Sequence, residues 1–407
     1  MGGVRVISLR NLQVLLAAVL PGGYKLLLTL IAAHVLDSPR LAQFSSDIST
    51  LQLLMLVSAT GVTSILIART DYRDQEVAGL LLALVLCIVP CSIVLLGLGR
   101  AREGSDTLLL LACLLFWTLF SVARAICVAR VRSWQAICAD IFLITVTSMG
   151  LAWSDSKWML TALALSLFFG ASCAVMVCGI RLGGTGPVGQ IAKLRNGFLS
   201  QSIFASLTTI IGSGLPLALI PMAHVFYSHS ETADMNLAVS LASFISLFPR
   251  AITYGYAPKI STNVVAANWE NYDELFRKYR RLIYSVLGAS SLALLLAYPV
   301  WRLVWPRLLN SSHSFLIFCL SVLMVMASQM SLPHFTLLQI QGRIIFGVII
   351  NGLHLTVTSI MLALLLYKEF PLPALVFACA ISYAARHLVM RNFASPNVNA
   401  LRLREFT

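Results

Sequence analysis

Charged residues are scarce in this chain: Asp, Glu, Lys and Arg make up 11% of its 407 residues, and only 16 of them are acidic. Soluble globular domains carry roughly a quarter, so a soluble fold is excluded. The patterns that mark most enzymes and metal proteins are also missing. The nine cysteines contain no CxxC pair and the seven histidines no ligand spacing, so the cysteines read as small packing residues and not as disulfide partners or metal ligands. There is no nucleophile elbow, catalytic triad motif or paired-carboxylate motif. The glycine-rich stretch RLGGTGPVGQIAKLRNG lacks both the Gly-Lys-Ser/Thr and the preceding soluble strand that a phosphate-cradling loop needs. The longest external break, AHVFYSHSETADM, is too short for the large catalytic loop expected of a membrane glycosyltransferase or polysaccharide polymerase. No enzyme signature remains.

What the chain has in abundance is apolar sequence, at 58% of its residues. A helix needs about 20 such residues to cross the hydrocarbon. Twelve spans answer to that length, at 11–35, 47–68, 77–98, 107–128, 134–153, 158–180, 199–223, 235–256, 282–305, 314–336, 345–366 and 371–390. The first follows Arg5 and Arg10 and is too long for a signal-peptide core, so it reads as retained. The formal charge of +13 comes from bases scattered between spans, with no basic stripe or interleaved aromatics, which argues against nucleic acid. Topology explains the bases better. With the N-terminus cytoplasmic, 18 of the 29 Lys and Arg fall in cytoplasmic segments, 7 in external ones (Arg302 counted there) and 4 within spans. This places both termini inside.

The glycine-rich break divides the chain into a six-helix lobe at 1–180, a cytoplasmic linker at 181–198 and a second six-helix lobe at 199–407. Each half opens on a span interrupted by glycine and proline, VLPGGYKLL and TTIIGSGLPLALIP. Such matched interruptions point to a transport site between repeats. An even number of spans per half makes the repeats parallel, with two lobes about a central cavity as the expected architecture. At 262–281, Val265, Trp269, Tyr272, Phe276, Tyr279 and Ile283 continue one helical face, opposite the acid-first pairs Asp273 to Arg277 and Glu274 to Lys278. Two readings stay open: an amphipathic helix on the cytoplasmic leaflet, or a plain extension of the ninth span.

Ionisable residues within spans are costly when they face lipid. Arg124 and Asp140 stand at similar depth on either side of the short turn ARVRSW, and so pair across a helical hairpin as a structural ion pair or a coupling site. Asp140 reads as the only acid well inside a span. Arg386 stands near the cytoplasmic end of the last span and is expected to snorkel to the interface. Arg250 follows Pro249 in the eighth span. Lys25 is the deepest cation, two residues beyond Pro21-Gly22-Gly23. It lines a water-filled path for an anion or has an internal partner. Pro21 frees a helical carbonyl that a partner or water must satisfy.

The basic N-terminus, the pair LLAAVLPGGYKLLLTLIAAHVL and LQLLMLVSATGVTSILIAR, and the segment FPRAITYGYAPKISTNVVAANWENYDELFRKYRRLIYSVLGA together resemble the Wzx-type polysaccharide flippases. These share a broad superfamily with the MATE multidrug exporters and the lipid II flippases. The resemblance covers nearly the whole chain and lies in its layout. It implies a bacterial inner-membrane protein that moves a polyprenyl-pyrophosphate-linked oligosaccharide, such as an O-antigen unit, from the cytoplasmic to the periplasmic leaflet by alternating access. A polysaccharide polymerase and a chain-length regulator are implied as partners, and coupling to a proton or sodium gradient, with no cofactor, follows by analogy. Lipid II flippases place cavity cations in the first and eighth spans, the spans that hold Lys25 and Arg250 here. Export of drugs or small solutes is the alternative within the superfamily.

Overall fold

Some of the helix breaks in this chain fall where capping chemistry or proline places them. In the computed structural model, α1 spans Leu9–Val35 and the Asp37 side chain caps α2, Ser38–Met55, by accepting from the Arg40 backbone N–H at 3.4 Å. A π-helical turn, Leu56–Thr60, joins α2 to α3, Gly61–Ala68. Then come α4 (Glu76–Ile93), α5 (Gly104–Ala129), α6 (Ser133–Trp153) and α7 (Met159–Cys178), the last closed by Gly179 in the left-handed conformation at φ 58°. The long α8, Asn196–Phe226, is followed by α9, His229–Ser243. Ser228 caps the start of α9: the Glu231 backbone N–H donates to Ser228 Oγ at 3.3 Å, and the hydroxyl donates to the Glu231 carboxylate at 2.7 Å. A 3-10 turn leads to α10, Leu247–Val265. The chain ends with α11 (Trp269–Leu296), α12 (Tyr298–Val304), α13 (Ser314–Met330), α14 (Leu332–Ile340, opened by Pro333), α15 (Ile344–Tyr367) and α16 (Leu372–Phe393).

The described residues are 9–68, 76–93, 104–130, 132–154, 158–179, 196–266, 268–304, 312–341 and 343–394, and among them the protein is all helical. Among the described residues, eight helical stretches are long and apolar enough to cross a membrane; the bent pairs Phe198–Ile211 with Gly214–Phe226 and Trp269–Leu296 with Tyr298–Val304 bring the number to ten. Two shorter apolar helices, Val19–Val35 and Ala78–Cys87, coincide with the first and third expected spans. Each of the twelve spans read from the sequence thus has its helix. Large apolar side chains stand outward along them, among them Trp153 at 83%, Met176 at 79% and Leu303 at 80% exposure. Water would penalise such surfaces heavily, and lipid does not.

The chain divides into two compact units, Met1–Ala233 and Asp234–Thr407. The division falls inside α9, later than the expected linker, most of which lies outside the described residues. In the first unit α8 packs along α2 and α3, α5 and α6 pack on α7, and α1 lies on α6. Gly61 permits the crossing of α3 and α8: a side chain there would collide with the Ser202 carbonyl and the Ser206 hydroxyl, and the Gly61 N–H donates to Ser206 Oγ at 3.0 Å. In the second unit α13 packs on α16, α10 on α11 and α14, and α15 on α16.

One of two open readings is selected, and two expectations need correction. The face Tyr272, Phe276, Tyr279 and Ile283 is buried within the second unit, with Phe276 edge-on to His334 and Tyr279 stacked on Tyr256 at 5.6 Å. The stretch is therefore the first turns of one continuous helix, and its apolar face is covered by protein instead of lipid. Cys127 and Cys178 are joined as a disulfide, because the packing of α5 on α7 brings their last turns together at a Cα separation of 5.5 Å. Asp140 is joined by Asp47 and Asp234 as acids buried in helices, each 3% exposed. Asp47 stands in the third turn of α2, at the edge of the expected second span, and Asp234 in the second turn of α9, one residue ahead of the expected eighth.

Candidate functional site

The hairpin of α5 and α6 brings Arg124 and Asp140 together. Arg124 Nε donates to both carboxylate oxygens of Asp140 at 2.8 Å, and the Asp140 side chain is 3% exposed. The remaining arm of the guanidinium reaches a third helix: Nη2 donates to the carbonyl oxygen of Ala17 on α1. Ala17 is four residues before Pro21, so its carbonyl is the acceptor that the missing proline N–H leaves open. The carbonyl freed by Pro21 thus has its partner, and the ion pair holds α1 where its own hydrogen-bond ladder is interrupted. Three helices meet in this arrangement, with the charge of Arg124 neutralised by Asp140 and its Nη2 used on backbone.

Lys25 is one helical turn beyond Pro21 and is half-buried. Its neighbour Tyr24 is fixed inside the unit, edge-on to Trp117 at 5.9 Å and within 3.3 Å of the Thr147 hydroxyl. Tyr24 therefore sets the rotation of α1 and with it the direction of residue 25. At Gly23 an added Cβ would meet no atom within 4 Å. This glycine does not serve close helix packing, and open space adjoins it.

Arg250 is exposed on α10, one residue past Pro249. It belongs to the second unit and Lys25 to the first.

Arg386 differs from its expected place at the interface. It is 5% exposed in the interior of the second unit, where Nη2 donates to the Ser328 carbonyl and Ser331 Oγ, both at 2.8 Å, and Nη1 to Asn351 Oδ1 at 3.5 Å. Its guanidinium lies over the Tyr383 ring at 4.6 Å. The packing of α16 on α13 and α15 encloses the side chain before it can extend along the membrane normal.

Around it lies a polar group that span-by-span reading does not single out. His334, His354 and His387 are 1%, 7% and 6% exposed, with Tyr383 at 0%. A signal was available in the spacing: Asn351, His354 and Thr358 recur on one face of α15, and Tyr383, Arg386 and His387 share a face of α16. Polar residues at helical period within apolar spans mark facing surfaces.

No protein-family model matches the chain, and no curated protein does. Solved structures do. An inward-facing multidrug resistance MATE family transporter of the MOP superfamily superposes with a TM-score of 0.70 at 11% identity, over 93% of this chain and 94% of that one. The Vibrio cholerae MATE transporter VcmN gives 0.60 at 13% identity over 96% of each chain. A MOP superfamily transporter from Pyrococcus furiosus, described as having a binding pocket of reverse polarity that suggests a different function, gives 0.57 at 12% identity over 96% of this chain and 95% of that one. This chain therefore has the fold of the MATE transporters of the MOP superfamily.

Proposed function

We propose that the protein is a flippase of MATE-like fold that carries a polyprenyl-pyrophosphate-linked oligosaccharide from the cytoplasmic to the periplasmic leaflet of a bacterial inner membrane, with both termini cytoplasmic. The single observation that carries this reading is Lys25: a half-buried cation one turn past the proline of an interrupted helix. A lysine in the middle of an apolar helix is costly in lipid, and a negatively charged passenger gives it a reason to be there. Arg250, exposed on α10, extends the same chemistry to the second unit. A pyrophosphate and polar sugars need a hydrated, cationic path, while a polyprenyl tail stays in the bilayer.

The Arg124–Asp140 pair serves as the hinge support of α1, since it satisfies the Ala17 carbonyl that Pro21 leaves open. Coupling to a proton or sodium gradient accompanies this reading, and a polymerase and chain-length regulator would act on the product.

Export of a drug or small solute is the second reading, favoured by solved structures described as multidrug resistance transporters. The Pyrococcus furiosus structure, with its pocket of reverse polarity, ties pocket charge to function within this fold. Basic residues at Lys25 and Arg250 favour an anionic cargo over the cationic drugs that acids would attract.

The test is a deletion of the gene in its host, assayed for surface polysaccharide and for drug susceptibility. Wild-type, Lys25→Ala and Arg250→Ala proteins are then supplied at equal membrane levels. We expect loss of surface polysaccharide, restored by wild type and restored poorly by either variant. Normal polysaccharide with heightened drug sensitivity would transfer the assignment to the exporter, and full restoration by both variants would remove Lys25 and Arg250 from the site.

A further inference from the structure

The interior of the second unit contains three histidines on three consecutive helices. His334 on α14 and His387 on α16 are in ring contact at 5.5 Å, and the Tyr284 hydroxyl on α11 lies 3.2 Å from His334 Nε2 and its ring edge-on to His387 at 6.0 Å. His354 on α15 lies against the Tyr383 ring at 4.7 Å, and Arg386 covers that same ring at 4.6 Å. All three imidazoles are more than nine-tenths buried. Yet Nδ1 of His334, Nδ1 of His387, both ring nitrogens of His354 and the Tyr383 hydroxyl have no hydrogen-bond partner among the described residues. Buried polar atoms in native proteins are nearly always satisfied. Several unsatisfied ones on a single connected group call for something that this arrangement does not hold.

We propose that His334, His354 and His387 form a proton-binding site in the second unit, whose occupation opposes the packed arrangement of α14, α15 and α16. The inference rests on the transporter reading for its use, though not for its chemistry. Histidine is the side chain whose ordinary titration falls in the physiological range, and an intramembrane ionisable group is a candidate for function.

The surroundings give the site its direction. Helices α13, α14 and α15 contain no Asp, Glu, Lys or Arg, and α16 contains Arg386 and Arg391 without any acid. The charged groups around His334 and His387 are Arg280 from α11 and Arg386 and Arg391 from α16; His354 faces Arg386. The titratable neighbours are Tyr284 from α11 and Tyr383 from α16, and His387 also bonds to the backbone of Met330 on α13. From α10, which packs on α14, the bases are Arg250 and Lys259, both exposed. A proton added to any of the three rings therefore creates a second positive charge beside an arginine in a medium of low dielectric. The packed unit is the proton-free state. Uptake of a proton is accommodated by separating these helices and admitting water, so proton binding selects a second conformation of the unit.

The test uses the full chain in lipid nanodiscs. Histidine ring resonances of isotopically labelled protein are followed by NMR from about pH 7.5 to about pH 4, a range that extends below that of an accessible imidazole. Amide hydrogen exchange, normalised to intrinsic rates, is measured at both ends. We expect the three buried rings to titrate together with a loss of protection in α14 and α16. His334→Gln and His387→Gln should each diminish that acid response, and their combination should diminish it further, leaving only the part due to His354; His313→Gln, an exposed histidine of the same unit, should leave it intact. Rings that stay neutral throughout, or an undiminished exchange response in the double variant, would overturn the proposal. If the double variant does not fold, the ring titration in the wild-type protein decides alone. A wild-type protein that shows the acid response but moves no lipid-linked oligosaccharide leaves this site standing and removes only the flippase reading. Transport without any histidine titration does the reverse.

Discussion

Among the described residues, the guanidinium groups of Arg124 and Arg386 lie inside the helical units, and they are held in different ways. Arg124 in the first unit is matched by a carboxylate, both of whose oxygens lie 2.8 Å from its Nε, and its Nη2 donates to the Ala17 carbonyl. Arg386 in the second unit donates to a carbonyl, a hydroxyl and an amide, with an aromatic ring under it and histidines around it. The first arrangement neutralises its charge with a fixed partner, which makes it a support. The second surrounds its charge with groups whose own protonation can change, which makes it responsive to pH. Similar residue types at comparable burial can thus serve structure in one unit and switching in the other.

The sharpest break of this comparison comes from Asp140. Asp140→Ala leaves Arg124 buried without its carboxylate, and the expected loss is about 3–5 kcal/mol, read as a fall in the unfolding midpoint in detergent. Replacing both partners, Arg124→Leu with Asp140→Leu, should recover most of that loss, because an apolar pair of similar volume is no worse than a buried ion pair. A deficit of about 1–3 kcal/mol should persist, the cost of an unsatisfied buried carbonyl at Ala17. Adding Pro21→Ala supplies the missing N–H to that carbonyl and should erase the remainder. A triple variant no more stable than the double one would show that Arg124 does not stand in for the proline's absent donor.

A smaller effect is expected at Arg386. Arg386→Met preserves most of the side-chain volume and leaves behind neutral partners, so the loss should be about 1.5–3 kcal/mol, the worth of hydrogen bonds to a charged group. Thermal unfolding of the two single variants side by side measures the contrast. Equal losses for Arg386→Met and Asp140→Ala would mean that the second centre supports its helices as strongly as the first does.

The same two centres show how much is legible in the sequence. Arg124 and Asp140 can be matched because a short turn fixes the register of a hairpin, and 1.5 Å of rise per residue then equates their depths. The Ala17 carbonyl is legible as a need, since proline always removes a donor, but its partner lies more than a hundred residues away and requires the tertiary fold. Arg386 lies elsewhere than expected because distance from a span end measures depth and not lateral direction: the side chain lies inward between α13 and α15. The face of α11 from Tyr272 to Ile283 has a clear helical period, but a period does not say whether protein or lipid covers the face. Lys25 is conspicuous because it stands alone in an apolar run, a contrast that needs no partner to be seen. The histidines are not, because each, taken by itself, is ordinary in a span; only the packing of α14, α15 and α16 makes them a group.

The smallest expected effect is at Tyr24, and it sharpens the role assigned to the neighbouring amine. Tyr24→Phe retains the edge-on contact with Trp117 and removes only the hydroxyl that meets Thr147 at 3.3 Å. The cost should be about 0.5–1.5 kcal/mol, the net worth of one neutral hydrogen bond, seen as a slight fall in unfolding midpoint. Because the aromatic contact still fixes the rotation of α1, Lys25 should keep its direction and restoration of surface polysaccharide should be close to that of wild type. Lys25→Ala leaves those anchoring contacts in place and removes the charge, so it should do the opposite: near-normal stability with poor restoration. If Tyr24→Phe impaired transport as severely as Lys25→Ala at equal membrane levels, the orientation of α1 rather than the amine itself would be what the passenger requires.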